Sequence, residues 1–202
     1  MTRSRTYGDA GQAFPIYITV VAGLLFLAFA YLAVGQAAAN RNGAQTAADA
    51  AALAAALDTR DKLRDEWVDN LLDPTTWQGI FNGEGVDFDG CDRAYQLAAQ
   101  NDAEASCDPT FALPPGYTVE ARTNKPVGDS IVPGTEDKHA RASATAVIDP
   151  LCTFELPGED AGDDVLPQLD CGDGIIWEDL DPDDPTSLPG PEDLFDVHLA
   201  DD

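Results

Sequence analysis

The stretch Ala13 to Leu57, AFPIYITVVAGLLFLAFAYLAVGQAAANRNGAQTAADAAALAAAL, decides how the rest of the chain is read. No Asp, Glu, Lys or Arg occurs between Asp9 and Arg41, and the first half of the stretch is almost wholly apolar. At about 1.5 Å of rise per residue, that run is long enough to cross a hydrocarbon core of about 30 Å. A signal peptide has an apolar region of only about 7 to 15 residues, so the reading is an uncleaved membrane helix over residues 13–39. Alanine, the best helix former, then carries the helix onward. Further on, Leu63, Trp67, Val68 and Leu71 recur at helical spacing, and Asp58 with Lys62 forms a favourable i,i+4 pair. The pattern predicts a single helix from about Pro15 to Leu72, stopped by Asp73-Pro74. Residues 40–72 of it form an extracytoplasmic stalk.

Working outward, the flanks set a direction. Arg3 and Arg5 precede the apolar run against one acid, Asp9, whereas the chain beyond it is overwhelmingly acidic. The bias of positive charge towards the cytoplasmic side therefore keeps residues 1–12 inside as a tail and sends the rest out. The formal net charge is -26. From Asp149 to Asp202 there are eighteen carboxylates and no Lys or Arg. Phosphate binding needs Lys and Arg, so nucleic acid is excluded as a partner.

All four cysteines, Cys91, Cys107, Cys152 and Cys171, lie C-terminal to the apolar run. An even number on one side fits two disulfides in an oxidising compartment, each stabilising a small domain by about 2–4 kcal/mol. Three pairings are possible. The local ones, Cys91 with Cys107 and Cys152 with Cys171, are favoured because each closes a loop that carries its own turn residues. Their spacing is too wide for a CxxC zinc knuckle, and His139 and His198 sit far from them in sequence.

Residues 73–202 read as a small, acidic, disulfide-stapled domain. Asp73 to Gly116 is expected to be mostly loop, with short structured pieces at Trp77 to Phe81 and at Asp92 to Gln100. The period then changes to two: Tyr117, Val119 and Ala121 alternate with polar residues, as does HARASATAVI from His139 to Ile148. Further strands are expected at Cys152 to Leu156, Ile175 to Leu180 and Leu194 to Leu199. The fold class is α+β, with a long N-terminal transmembrane-plus-stalk helix and a mainly antiparallel sheet packed on the stalk.

Chemistry is hard to find. GxSxG, HExxH and P-loop motifs are absent, and neither histidine has a nucleophile beside it. The acidic turn Asp170-Cys171-Gly172-Asp173-Gly174 fails the calcium-loop register, which would put Leu169 at position one and Leu180 at position twelve. The expectation is no enzymatic activity, no cofactor and no metal. Gly35, Ala39, Gly43, Ala47, Ala51 and Ala55 instead place a small residue at every fourth step. Such a row suits close helix–helix packing, in a homo- or hetero-oligomer, or simply a surface helix built of alanine.

The entry Gly8-Asp9-Ala10-Gly11, the single apolar helix, and Arg41 to Ala56 read as R-x-x-x-Q-x-A-A-D-A-A-A-L-A-A-A resemble the TadE/TadG-like proteins of Flp-type (tight-adherence) pilus systems. Within that family they resemble the TadG-related branch of actinobacteria. The resemblance implies a membrane-anchored pilus-assembly or secretion component whose partners are the membrane and other proteins of that system. Pilin-like subunits there are cut after a Gly, with a Glu five residues on. Gly11 is the possible processing position, but Ile16 stands where the Glu would be, which favours a lasting anchor. A different reading of the same residues is a free-standing single-pass surface protein whose acidic domain binds a cation or a basic ligand.

Overall fold

A computed structural model describes residues 13–126, 137–158, 166–172, 174–184 and 186–200. The cytoplasmic tail expected over 1–12, including Gly11, lies outside the described residues, as does Asp173 of the acidic turn.

One helix, α1 (Ala13–Asp69), runs without interruption for 57 residues, about 85 Å at the standard rise. It ends three residues before the expected Leu72. Asp73-Pro74 then does more than stop it: the Asp73 carboxylate accepts the Thr75 N–H and caps a second helix, α2 (Pro74–Phe81), with Pro74 in its first turn. Helix α3 (Cys91–Gln100) follows. The chain then makes strands β1 (Ala103–Thr110), β2 (Gly116–Thr123) and β3 (Arg141–Pro150). Two short strands, β4 (Leu169–Asp170) and β5 (Ile176–Trp177), pair with each other. A single helical turn, α4 (Pro191–Leu194), leads into β6 (Phe195–Leu199).

The main sheet is antiparallel throughout, in the order β1-β2-β3-β6. Its inward face, which includes Tyr117, Val119, Ala121, Ala144, Ala146 and Ile148, packs on α1. The outward face is polar, with the Thr118 and Thr145 hydroxyls 2.9 Å apart and Arg141 Nη1 donating to Glu120. Helix α3 packs against both α1 and β1. The interface is small on small: Ala44, Ala47, Ala48, Ala51, Ala52, Ala55 and Ala56 of α1 are all fully buried. Alanine brings the helix axis closer to the sheet than leucine would, and the backbones then supply much of the contact.

Close approach explains two glycines. A Cβ on Gly90, just before α3, would collide with the Ala55 carbonyl of α1, and one on Gly116 would collide with the Ala146 carbonyl across β2 and β3. Beyond the alanines the packing becomes aromatic. Trp67, Trp77, Phe154, Phe81 and Phe195 form a chain of edge-to-face pairs with centroids 5.3 to 5.9 Å apart. Each such pair is worth about 0.5–1.5 kcal/mol beyond the area it buries. Trp77 Nε1–H donates to the Asn70 carbonyl at 3.1 Å, which fixes the turn between α1 and α2. The disulfides are Cys91–Cys107, tying α3 to β1, and Cys152–Cys171, tying the segment after β3 to the end of β4.

Three expectations are corrected. Ala103 to Thr110 is an edge strand rather than loop; its signal was the alternation of Ala103, Ala105 and Cys107 inward with Glu104, Ser106 and Asp108 outward. Pro109 is tolerated there because an edge strand leaves N–H groups unpaired. Cys152 to Leu156 is no strand, since it makes only the bridge Thr153 to Asp170. Within Ile175 to Leu180 only Ile176–Trp177 is extended and paired. Both segments are short pieces held by the Cys152–Cys171 link, so few ladder bonds form.

Candidate membrane and assembly surface

Among the described residues, none outside α1 covers the run from Phe14 to Val34. Phe14, Ile16, Leu24, Phe26, Leu27, Phe29, Leu32 and Val34 are all more than half exposed. Large apolar side chains on every side of a helix, with no protein cover, are stable only in an apolar surrounding. Phe14 to Val34 spans about 32 Å at the standard rise, close to the thickness of a hydrocarbon core. Thr19, a polar residue within this run, donates its hydroxyl to the Pro15 carbonyl at 2.9 Å, so that group needs no water. Helix α1 is therefore long and apolar enough to cross a membrane.

Just past this run, the rest of the protein grips the helix. The Asn40 amide donates to the Lys125 carbonyl at 3.3 Å, and its oxygen lies 2.9 Å from the Thr123 hydroxyl. That hydroxyl also accepts the Ala140 N–H at 3.1 Å, and the His139 ring Nδ1–H donates to the Thr123 carbonyl at 2.7 Å. The ends of β2 and β3 are thus knotted onto the first polar turn of α1. Only the short exposed turn 35–39 separates the apolar run from the sheet.

A second grip lies deeper. The Tyr117 hydroxyl, wholly buried on β2, lies 2.6 Å from the Thr59 hydroxyl of α1 and accepts the Gly90 N–H at 3.1 Å. Burial raises the Tyr117 phenol above its ordinary range, and the Thr59 hydrogen bond opposes that rise. Nearby, Lys62 Nζ donates to Asp58 at 2.7 Å and to Asp89, bridging α1 to the segment before α3. The hydrogen bonds to Asp58 and then Asp89 push the Lys62 ammonium up, and the Lys62 bond holds the Asp89 carboxyl down. These groups build the domain, and Asp58 also edges an open groove between α1 and α3 lined by Leu53, Leu57, Arg93 and Leu97.

The small-residue row divides in two. Ala47, Ala51 and Ala55 are buried under the protein's own sheet and α3, whereas Gly35, Ala39 and Gly43 are exposed, with open space around Gly35 and Gly43. Only the first half remains available to another helix. His139 serves the knot at Thr123. His198 lies between Asp149 at 3.6 Å and Asp196 at 3.0 Å on the surface. Among the described residues, no group of three or more His, Cys, Asp or Glu side chains converges as metal ligands would. An open groove of about 750 Å³ beside β4 is lined by Phe154, Glu155, Leu166, Asp170 and Glu178 and holds no nucleophile–base pair.

The two grips, Asn40 with Thr123 and Thr59 with Tyr117, went unnoticed in the sequence. Each joins residues 58 or more positions apart, and only a Thr or Asn beside an apolar stripe hinted at them.

Comparison with known proteins gives one finding. Residues 11–58 match the family model described as "Putative Flp pilus-assembly TadE/G-like". The match covers the apolar run and the alanine-rich turns of α1 as far as Asp58, and leaves the sheet and the acidic C-terminal region outside it. No curated protein and no solved structure matches the chain.

Proposed function

From the TadE/G-like match over residues 11–58, we propose that this chain is a membrane-anchored component of a Flp-type pilus assembly or secretion system, acting through helix packing and protein contacts rather than catalysis. One observation carries the reading: the matched segment coincides with an apolar helix that none of the described residues outside it covers, running straight into the helix on which the whole domain is built. The N-terminus stays in the cytoplasm and the disulfide-linked domain lies outside, where thiols oxidise. In such an arrangement the exposed Gly35, Ala39 and Gly43 form the face of the helix on which a partner helix packs.

The test is genetic and biochemical. Deleting the gene should abolish assembly of Flp-type pili or secretion through that system, and the full-length protein should restore it. A full-length Gly35→Leu, Gly43→Leu variant should fold and reach the membrane yet fail to co-purify with pilus-system proteins. Normal assembly in the deletion strain would sink the proposal. Removing Arg41 to Ala56 outright would be a poor experiment, because seven of those residues are fully buried in the domain core.

A further inference from the structure

The knot at Asn40 fixes how the domain meets the bilayer, an inference that rests on the anchor reading above. Six residues, about 9 Å of helix, separate Val34 from Asn40. The headgroup layer on each side of a bilayer is about 5–7 Å deep. Asn40 therefore stands at its outer edge, and the chain bonded to it stands there as well. Lys125 is held there through its own carbonyl, and Arg41 follows Asn40 directly. Lys138 reaches the same level because the Ala140 N–H and the His139 ring bond Thr123. All three basic side chains are exposed.

We propose that Arg41, Lys125 and Lys138 form a basic collar around the point where α1 leaves the membrane, seated on the phosphate headgroups of the adjoining leaflet. Among the described residues, the carboxylates at the same level are Asp102, 3.1 Å from Lys125 Nζ, and Asp137. The Lys125–Asp102 pair is 79% and 72% exposed, so it is weak and leaves Lys125 able to turn to a phosphate.

The net charge of -26 argues at first against any anionic surface. The fold removes the objection by distance. The acidic C-terminal region meets α1 at Arg64, whose Nε–H donates to the Pro189 carbonyl, and Arg64 lies 24 residues beyond Asn40. That is about 36 Å along the helix. Asp149, where the run without Lys or Arg begins, lies eight residues along β3 from Arg141, about 26 Å up the sheet. The screening length at physiological ionic strength is about 8 Å. The carboxylates at those heights are screened from the bilayer several times over, and only the C-terminal end of β6, where the Ala200 N–H bonds Thr145 four residues from Arg141, returns toward the collar.

The experiment uses the full-length chain in nanodiscs of phosphatidylcholine alone or with added phosphatidylglycerol, followed by amide hydrogen exchange of peptides covering 120–126 and 137–142. Phosphatidylglycerol should slow exchange in both peptides by about fivefold, the factor one basic side chain supplies at an anionic surface. About 0.5 M salt, with a screening length near 4 Å, should remove the difference. So should the combined variant R41Q/K125Q/K138Q, while its exchange in β6 stays as in the parent. Equal exchange in the two lipids, or a difference that survives the triple substitution, overturns the collar. A chain that fails to enter the discs at all overturns the anchor reading instead, and the collar with it.

Discussion

Tyr117→Phe is the sharpest probe of how the domain is fastened to its helix. The substitution removes one oxygen and leaves the ring where it is, between Phe88 at 5.8 Å and the helix. Two partners lose their bond. Thr59 can turn its hydroxyl to the carbonyl one helical turn back, so it recovers most of its loss. The Gly90 N–H cannot recover: it is buried, and the collision of any Cβ there with Ala55 shows how little room a water would have. An orphaned buried donor costs about 1–3 kcal/mol, and the lost hydroxyl pair about 0.5–1.5 kcal/mol more. A total near 2–3 kcal/mol is expected, from urea unfolding of the detergent-solubilised full-length chain followed by tryptophan fluorescence. Thr59→Val alone should cost about 1 kcal/mol, and the double variant about 1 kcal/mol less than the sum, because both act on one bond. Strict additivity, or a Tyr117→Phe effect within about 0.5 kcal/mol of zero, would refute the network.

Gly90→Ala should destabilise by about 1–3 kcal/mol, since its Cβ meets backbone that cannot move without lifting α3 off α1; unfolding midpoints measure it, and a neutral result would mean the helices do not touch there. Ala51→Leu should be strongly destabilising because its site is fully buried, while Gly35→Leu, with open space around it, should leave the domain's unfolding midpoint unchanged. Stability should also fall on the alkaline side. The folded-state pKa of Tyr117 is raised by burial and that of Lys62 by its hydrogen bonds to Asp58 and Asp89. Each therefore stabilises below its unfolded value, about pH 10 for both, and loses that contribution as pH rises through the folded value. The urea midpoint should hold to about pH 9.5 and drop above it, less steeply in Tyr117→Phe than in the parent; equal slopes would rule out burial of the phenol.

What repeats locally is legible along the chain. The apolar run showed itself because nothing charged interrupts it for thirty-one residues, from Ala10 to Asn40. The strands at β2, β3 and β6 showed themselves by alternation, for each buries one face on α1 and solvates the other. Strand β1 was overlooked because its inward residues are Ala and Cys, too small to stand out against Glu104 and Asp108. The four-residue row of small side chains was legible as a packing surface but not as two surfaces. Ala47 and Gly43 look alike in sequence, and only the position of the sheet separates a core residue from a free one.

By itself the sequence determined the long helix, its apolar half and the antiparallel character of the domain, because all of these follow from composition and period along a few turns or strands. The tertiary structure decided where the domain grips the helix. That grip depends on Asn40 meeting Lys125, Thr59 meeting Tyr117, and Gly90 meeting Ala55, contacts that close loops of up to 85 residues. Such contacts leave no local period to read. They alone determine that most of the alanines beyond Gly43 are core, and that the domain stands within about two turns of the end of the apolar run.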